Sequence, residues 1–288
     1  MYRYELVKCD ANSVNEYSNL LSITFPNTKK FTPEFISWHY IDNPLGTIVG
    51  FNAYAGEVLA AHYVGQPITA IINGEKKKGL LSLNTATHPD HRGKKLFTTL
   101  ANKTYEYAAK NGYDFVYGVA NANSTHGFVK RLGFQLVGAL DVKIGVGKFS
   151  FKNTNKVFSF RRDIKRNELV WRLNNPSKEY FYNENVIVPT GKIGLNAILM
   201  CSETKYLKEL TVLRKFRGLK LFKLYVGINN SIEWKKTMFF NLPDRFKSSP
   251  LNLIFKDIEV IKFKFSKQKK IIKINEVKNR KMSYSEKF

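Results

Sequence analysis

The chain has 288 residues, 43% of them hydrophobic and 24% charged, a balance that excludes wholesale disorder, collagen-like repeats and coiled-coil composition and leaves room for one large or two modest cores. Lys and Arg number 47 against 23 Asp and Glu, a formal charge of +24, which directs attention to an acidic ligand or an anionic surface. The excess is lopsided: residues 1–150 carry 16 basic and 11 acidic side chains (+5), and residues 151–288 carry 31 and 12 (+19).

The opening residues, MYRYELVKCD, alternate like a strand, with no basic-then-apolar leader. Ser13 is placed to cap the helical pattern VNEYSNLLSITF, and Thr32-Pro33 opens a second short helix, PEFISWHY, closed by Asp42-Asn43-Pro44. TIVGFNAYA and EVLAAHYVGQ, turning at Ala55-Gly56, pattern as a hairpin; PITAII, Asn73-Gly74 and GLLSLNTAT extend it to an antiparallel meander. The pattern changes at His88-Pro89-Asp90-His91-Arg92-Gly93, after which LFTTLANKTYEYAAK is a strong helix ending at Asn111-Gly112. The strand YDFVYGVA, the short helix NANSTHGFVKRL, Gly133 and a last strand FQLVGALDV follow.

Two cysteines, Cys9 and Cys201, cannot build a disulfide framework and lack the Cys/His clustering of a zinc site, so no metal is expected. No apolar run approaches the ~20 residues of a membrane span. The expectation is a cytoplasmic protein, peripheral at the inner membrane face if its basic half meets lipid.

A strand running through a basic loop into a helix, as THPDHRGKKLFTTL, followed by NANSTHGFVKRLGF, resembles the two signatures of the GNAT superfamily of acyl-CoA-dependent N-acyltransferases. The wording resembles members linked to bacterial cell-surface polysaccharide formation. The resemblance spans residues ~80–140, and the preceding elements fit that family's N-terminal half. It implies an α+β fold with a mixed, mostly antiparallel sheet flanked by helices, and acetyl-CoA or another acyl-CoA as co-substrate.

Under that resemblance the strand before the loop holds the pantetheine arm through backbone N–H groups, with Asn84, Thr85, Ala86 and Thr87 nearest the thioester. His91, Arg92, Gly93, Lys94, Lys95, Leu96 and Phe97 form the pyrophosphate loop, because a helix start offers unpaired N–H groups and the positive end of a dipole. The family's glycines at two loop positions are here Lys95 and Phe97: Lys95 narrows the cradle or reaches a phosphate, and Phe97 lines it or turns to the core. Asn121, Asn123 and Ser124 are expected on the pantetheine, or as helix caps, or both.

The family's strand Glu and short-helix Tyr are missing. Ser82 and Asn84 stand on the strand, and Phe128 or Val129 falls at the Tyr position. Groups that titrate near neutrality are His62, expected to face the cleft, and His126, beside the expected thiolate. His62, His126 and Asn84 are therefore the catalytic candidates, and His88 and His91 shape the loop.

The second half echoes the first. FISWHYIDNP at 35–44 is matched by ELVWRLNNP at 168–176, and YVGINNSIEWKKTMFF at 225–240 resembles 117–134, with PLNLIFKDI as a closing strand. Trp38 and Trp171 are expected as core anchors beneath each meander. The division is a GNAT domain over 1–145 and a degenerate, basic GNAT-like copy over 146–288. FRGLKLF at 216–222 echoes HRGKKLF but lies too near the next strand, so the second copy is not expected to bind coenzyme A. The run at 262–281 is a solvated basic edge or an anion-binding tail.

The function expected is N-acyl transfer, acetyl transfer first, to a small amine such as an amino sugar or nucleotide amino sugar. Such an amine has a lower pKa than Lys, so a larger fraction is neutral and a dedicated strong base is less necessary. Fem-type peptidyltransferases, also paired GNAT-like units, would use the basic half on tRNA phosphates. A non-catalytic CoA- or anion-binding module is the third reading, with Lys95, Phe97 and the absent Tyr as signs of decay.

Overall fold

The strand β1 (Arg3–Leu6) leads into α1 (Ala11–Thr24). Asp10, not Ser13, is its cap: the Asp10 carboxylate accepts from the Ser13 N–H at 2.9 Å, one turn ahead of the expected start. Thr32 caps α2 (Pro33–Tyr40) through the Phe35 N–H, with Pro33 in the first turn. The computed structural model describes residues 1–152, 160–183, 186–189, 196–197, 200–201, 214–215, 222–247 and 249–258. All of 216–222 but Phe222, and the run at 262–281, lie outside them.

The meander is β2 (Val49–Ala55), β3 (Val58–Ile72) and β4 (Glu75–Thr87), antiparallel throughout. PITAII is not separate; β3 runs through Pro67. β2 ends at Val49↔Gly65, so the missing Pro67 N–H forfeits no ladder bond on that side. After the loop come α3 (Leu96–Lys110), β5 (Phe115–Ala120), parallel to β4, and α4 (Ala122–His126), which widens into a π turn over Gly127–Arg131. The expected last strand splits at Leu140 into β6 (Gln135–Ala139) and β7 (Asp141–Val146).

The second half contributes β8 (Phe160–Arg162), α5 (Arg166–Leu173), β9 (Tyr180–Asn183), β10 (Val186–Pro189), β11 (Asn196–Ala197), β12 (Met200–Cys201), β13 (Arg214–Lys215), β14 (Lys223–Gly227), β15 (Met238–Asn241) and β16 (Asn252–Asp257). Among the described residues these strands form three sheets. The first has the order β1-β2-β3-β4-β5-β16-β6 with β8 on β3, the second β11-β14-β7-β15, and the third β12-β10-β9-β13.

Strands therefore cross between the halves in both directions. β7 leaves the first half and lies between β14 and β15, antiparallel to both. β16, expected to close the second half, instead lies between β5 and β6, again antiparallel to both. A cut at 145/146 does not divide the sheets.

One face of the first sheet carries α1 and α2, packing Tyr17, Leu21, Ile36 and Tyr40 on Val64 and Ala86. The opposite face carries α3, packing Leu96, Leu100 and Tyr105 on Tyr63, Leu80 and Val116. The echoed tryptophans do not sit beneath separate meanders. Trp38 on α2 and Trp171 on α5 stack at 4.9 Å and 18°, and each indole N–H donates to the other's carbonyl at 3.0 Å. Beside them the buried Arg162 pairs with Glu168 and donates to the Tyr117 hydroxyl at 3.0 Å, tying β8 and α5 to β5.

Candidate functional site

β4 and β5 are hydrogen-bonded neighbours only from Gly79↔Phe115 to Leu81↔Tyr117. Beyond that point β4 stays on β3 to Thr87 and β5 stays on β16 to Ala120, so the two strands part and leave a wedge. At its apex a Cβ on Gly118 would lie 3.4 Å from the Ser82 carbonyl. Along the wedge Ser82, Leu83, Asn84, Thr85 and Thr87 are half-buried, although they belong to a central strand. An interior strand flanked on both edges would be sealed.

A bulge shapes the β4 side. Val64 pairs with Leu83 and His62 with Ala86, so Asn84 and Thr85 together oppose Tyr63. Asn84 takes φ 46°, in the left-handed region that asparagine tolerates better than most residues. The His88 N–H donates to the Ala60 carbonyl at 2.9 Å. By the alternation of an antiparallel ladder Ala86 also points its N–H at β3, whereas Thr87 turns its own toward the wedge. Ala86, 3% exposed against α1 and α2, thus offers the wedge neither side chain nor N–H, contrary to the expectation for it.

The loop after β4 makes a 3-10 turn over Pro89–His91 and passes Gly93 at φ 76° into α3. Lys95 is the residue before the helix, in the left-handed region at φ 59°, where the Thr99 N–H and the Thr98 and Thr99 hydroxyls converge on its carbonyl. Among the described residues no side chain caps this end. The N–H groups of Leu96, Phe97 and Thr98 therefore have no intrahelical acceptor, and the exposed Arg92, Lys94 and Lys95 stand beside them. His91 is tethered through Nδ1 to the Tyr2 hydroxyl at 2.9 Å and shapes the loop.

Leu96, 2% exposed, and Phe97 turn inward, so only their backbones face the loop. The Phe97 ring meets Phe128 edge-on at 5.2 Å and lies 6.0 Å from Tyr63; a Cβ on Gly127 would sit 3.2 Å from it. Phe97 thus fills the core and leaves the cradle open. Phe128, 7% exposed in the same cluster, and Val129, packed against it, are the two residues at the expected acid position, and neither has a proton to give.

On α4 the Asn121 side chain caps the helix, accepting from the Ser124 N–H at 3.0 Å and from the Ser124 hydroxyl at 3.0 Å. Both are thus engaged at the cap, while Asn123 and His126 are exposed. His62 does not face a cleft. It is 0% exposed, stacked on Tyr17 at 4.4 Å, and burial holds its pKa down at about 3, so it is neutral. Its Nε2 meets the Tyr40 hydroxyl at 3.1 Å and its Nδ1 the Asn52 carboxamide at 2.7 Å. Asn84 Nδ2 donates to the same Tyr40 hydroxyl at 3.3 Å.

On the α3 side the Tyr63 hydroxyl bridges Ser82 Oγ at 3.0 Å and the Tyr105 hydroxyl at 2.6 Å, with burial pushing the Tyr63 pKa up to about 12. Tyr40, Asn52, Tyr63 and Tyr105 escape sequence reasoning because they come from separate elements with no shared spacing. The Tyr at the end of PEFISWHY was the one local cue. Among the described residues no three His, Cys, Asp or Glu groups converge as a metal site requires, and no helix is long and apolar enough to cross a membrane.

Residues 7–137, which include the wedge, the basic loop and α3, match the family model described as an acetyltransferase (GNAT) domain. In fold, 90% of the chain is similar to 73% of a conserved Enterococcus faecalis protein of unknown function described as a probable N-acyltransferase, at 12% identity and a TM-score of 0.61. The same share is similar to 74% of a GCN5-related N-acetyltransferase from Anabaena variabilis, at 10% identity and a TM-score of 0.59. No curated protein matches the chain in sequence.

Proposed function

We propose that the chain is an N-acyltransferase whose β4/β5 wedge takes an acyl-CoA, acetyl-CoA first, and passes the acyl group to the amine of a small acceptor. The observation that carries this reading is the parting of β4 from β5 after Leu81↔Tyr117, directly ahead of a basic loop and an uncapped helix start. A bound acyl-CoA supplies the thioester that an amine attacks. Arg92, Lys94, Lys95 and the free N–H groups of Leu96, Phe97 and Thr98 suit its phosphates. The Thr87 N–H faces the wedge, where a backbone donor can polarise a carbonyl oxygen.

The stretch 82–87 carries no carboxylate, so no side chain there can strip a proton from a strongly basic amine. This favours an acceptor whose amine is less basic than lysine, so that a larger fraction of it is neutral near pH 7, such as an amino sugar. Anionic forms, a nucleotide-linked sugar or a lipid-linked one at a membrane face, suit the +19 of residues 151–288. We read the second half as a degenerate copy that walls the acceptor side. The stacked Trp38 and Trp171, at echoed sequence positions, and the reciprocal placement of β7 and β16 support that reading.

Calorimetric titration of acetyl-CoA into the protein, with Arg92→Glu as control, tests the site. Micromolar binding that the control abolishes is expected, followed by acetylation of D-glucosamine or its phosphate and nucleotide derivatives. Absence of binding would overturn the reading and redirect work to tRNA and anionic lipid. Replacing His126 by Ala tests the acid role separately: a rate loss below about tenfold, roughly 1.4 kcal/mol, would return His126 to a structural role.

A further inference from the structure

The hydrogen bonds behind Asn84 form one chain whose direction is determined at its far end. Tyr17 Oη accepts from the Lys8 N–H at 3.1 Å and donates its single proton to the Lys8 carbonyl at 3.0 Å. It can therefore only accept from Asn52, which must turn Nδ2 toward it, at 3.2 Å. Tyr54 imposes the same orientation independently: its proton goes to the Glu16 carboxylate at 3.0 Å, leaving it to accept from Asn52 Nδ2 at 3.4 Å. Asn52 Oδ1 then faces His62 Nδ1 at 2.7 Å, so the His62 proton is on Nδ1 and Nε2 is bare. The Tyr40 O–H donates to bare Nε2 at 3.1 Å, and the Tyr40 oxygen is left to accept, from Asn84 Nδ2 at 3.3 Å. Every amide and tautomer along the way is determined, and the remainder falls on Asn84. Asn84 Oδ1 makes no hydrogen bond among the described residues, and Asn84 is half-buried on the bulge rather than sealed.

We propose that Asn84 Oδ1 is the hydrogen-bond acceptor that holds the attacking amine in the wedge, and that Tyr40, His62 and Asn52 are positioning residues that keep this end of the carboxamide outward. The assignment rests on the acyl-transfer reading above and goes further by specifying the recognition of the nucleophile. An acceptor-only oxygen engages an amine through one N–H and leaves the nitrogen lone pair free to attack. A flipped carboxamide would present Nδ2 and engage that lone pair instead. Because the oxygen is uncharged, it leaves the amine's own pKa nearly unchanged, where a carboxylate would hold the ammonium.

The test has three parts. Nitrogen-15 NMR of the histidine rings is expected to show His62 neutral with the proton on Nδ1 between pH 5 and 9; a proton on Nε2 would reverse the chain and overturn the assignment. Titration of acetyl-CoA into wild type, Asn84→Leu and Tyr40→Phe is expected to give dissociation constants within about twofold of one another. With D-glucosamine as the probe amine, kcat/KM is expected to fall about tenfold or more in both variants, roughly the 1.4 kcal/mol of one hydrogen bond. Circular dichroism identifies a misfolded variant, and Asn84→Gln, which keeps the carboxamide, then serves as second variant with a smaller expected loss. Turnover within twofold of wild type in folded Asn84→Leu, or no wild-type turnover of the probe with acetyl-CoA bound, overturns the assignment alone. Failure of the wild type to bind acetyl-CoA overturns the acyl-transfer reading and this assignment with it.

Discussion

Lys95 shows how one residue can be unfavourable for the fold and favourable for a ligand. At φ 59° its backbone lies where a residue with a Cβ pays about 1–2 kcal/mol, and the resembling family places a glycine there. Lys95→Gly is expected to raise stability by roughly 1 kcal/mol in urea melts. If the ammonium meets a phosphate, the same variant weakens acetyl-CoA binding about tenfold. Unchanged affinity would show that the strain serves no ligand. His62 supplies the acid-side counterpart. It is packed against Tyr17 and Tyr40, and the Glu16 carboxylate reaches it only through Tyr54 and Asn52. Burial lowers its pKa from 6.5 to about 3, so between those values the unfolded chain binds the extra proton and the folded one does not. Stability contributed this way is present above pH 6.5 and is lost as pH falls, by about 1.4 kcal/mol per unit. Urea melts from pH 7 to pH 4.5 are expected to show a steeper loss for wild type than for His62→Gln; parallel losses would count against a neutral buried imidazole.

At the scale of elements, the loop was legible because its chemistry is local. His88 to Lys95 are consecutive, and the turn, glycine and helix start carry their own signals in order. The hydrogen-bonded chain behind Asn84 was not, since Tyr40, Asn52, His62 and Asn84 come from α2, β2, β3 and β4 and nothing in a one-dimensional pattern separates a buried polar partner from an exposed one. Ser13 illustrates a smaller ambiguity: Asp10 and Ser13 both suit a cap, and the choice falls to whichever lies in extended backbone, Asp10 at ψ 169°. Strand exchange lay beyond sequence reasoning for a different reason. Alternation in DVKIGV and NLIFKD tells which side chains of β7 and β16 share a face, but either strand could satisfy either sheet with the same faces buried. FQLVGALDV read as one strand because Leu140, buried at 7%, continues the apolar pattern where the chain passes between sheets, its N–H bonded to the Leu251 carbonyl at 2.8 Å.

At the scale of the whole molecule, the exchange makes each half depend on the other. β16 occupies an interior place between β5 and β6, burying Leu253, Ile254 and Phe255 at 2%, 1% and 8% exposure. Removing three such side chains forfeits about 5–9 kcal/mol of apolar burial, comparable with the whole stability of an ordinary domain, and strips β5 and β6 of a shared partner. Residues 1–145 alone, although they include the wedge and the loop, are therefore expected to lack a cooperative urea transition and dispersed amide NMR signals. Restoring the strand in cis, by joining residue 140 through a short flexible linker to residues 249–258, is expected to recover both, because Asn252 to Phe255 then regain their partners on β5 and β6. A cooperative transition of residues 1–145 without the graft would mean that β6 can close directly on β5, and that the second half is an addition to the first rather than part of its core.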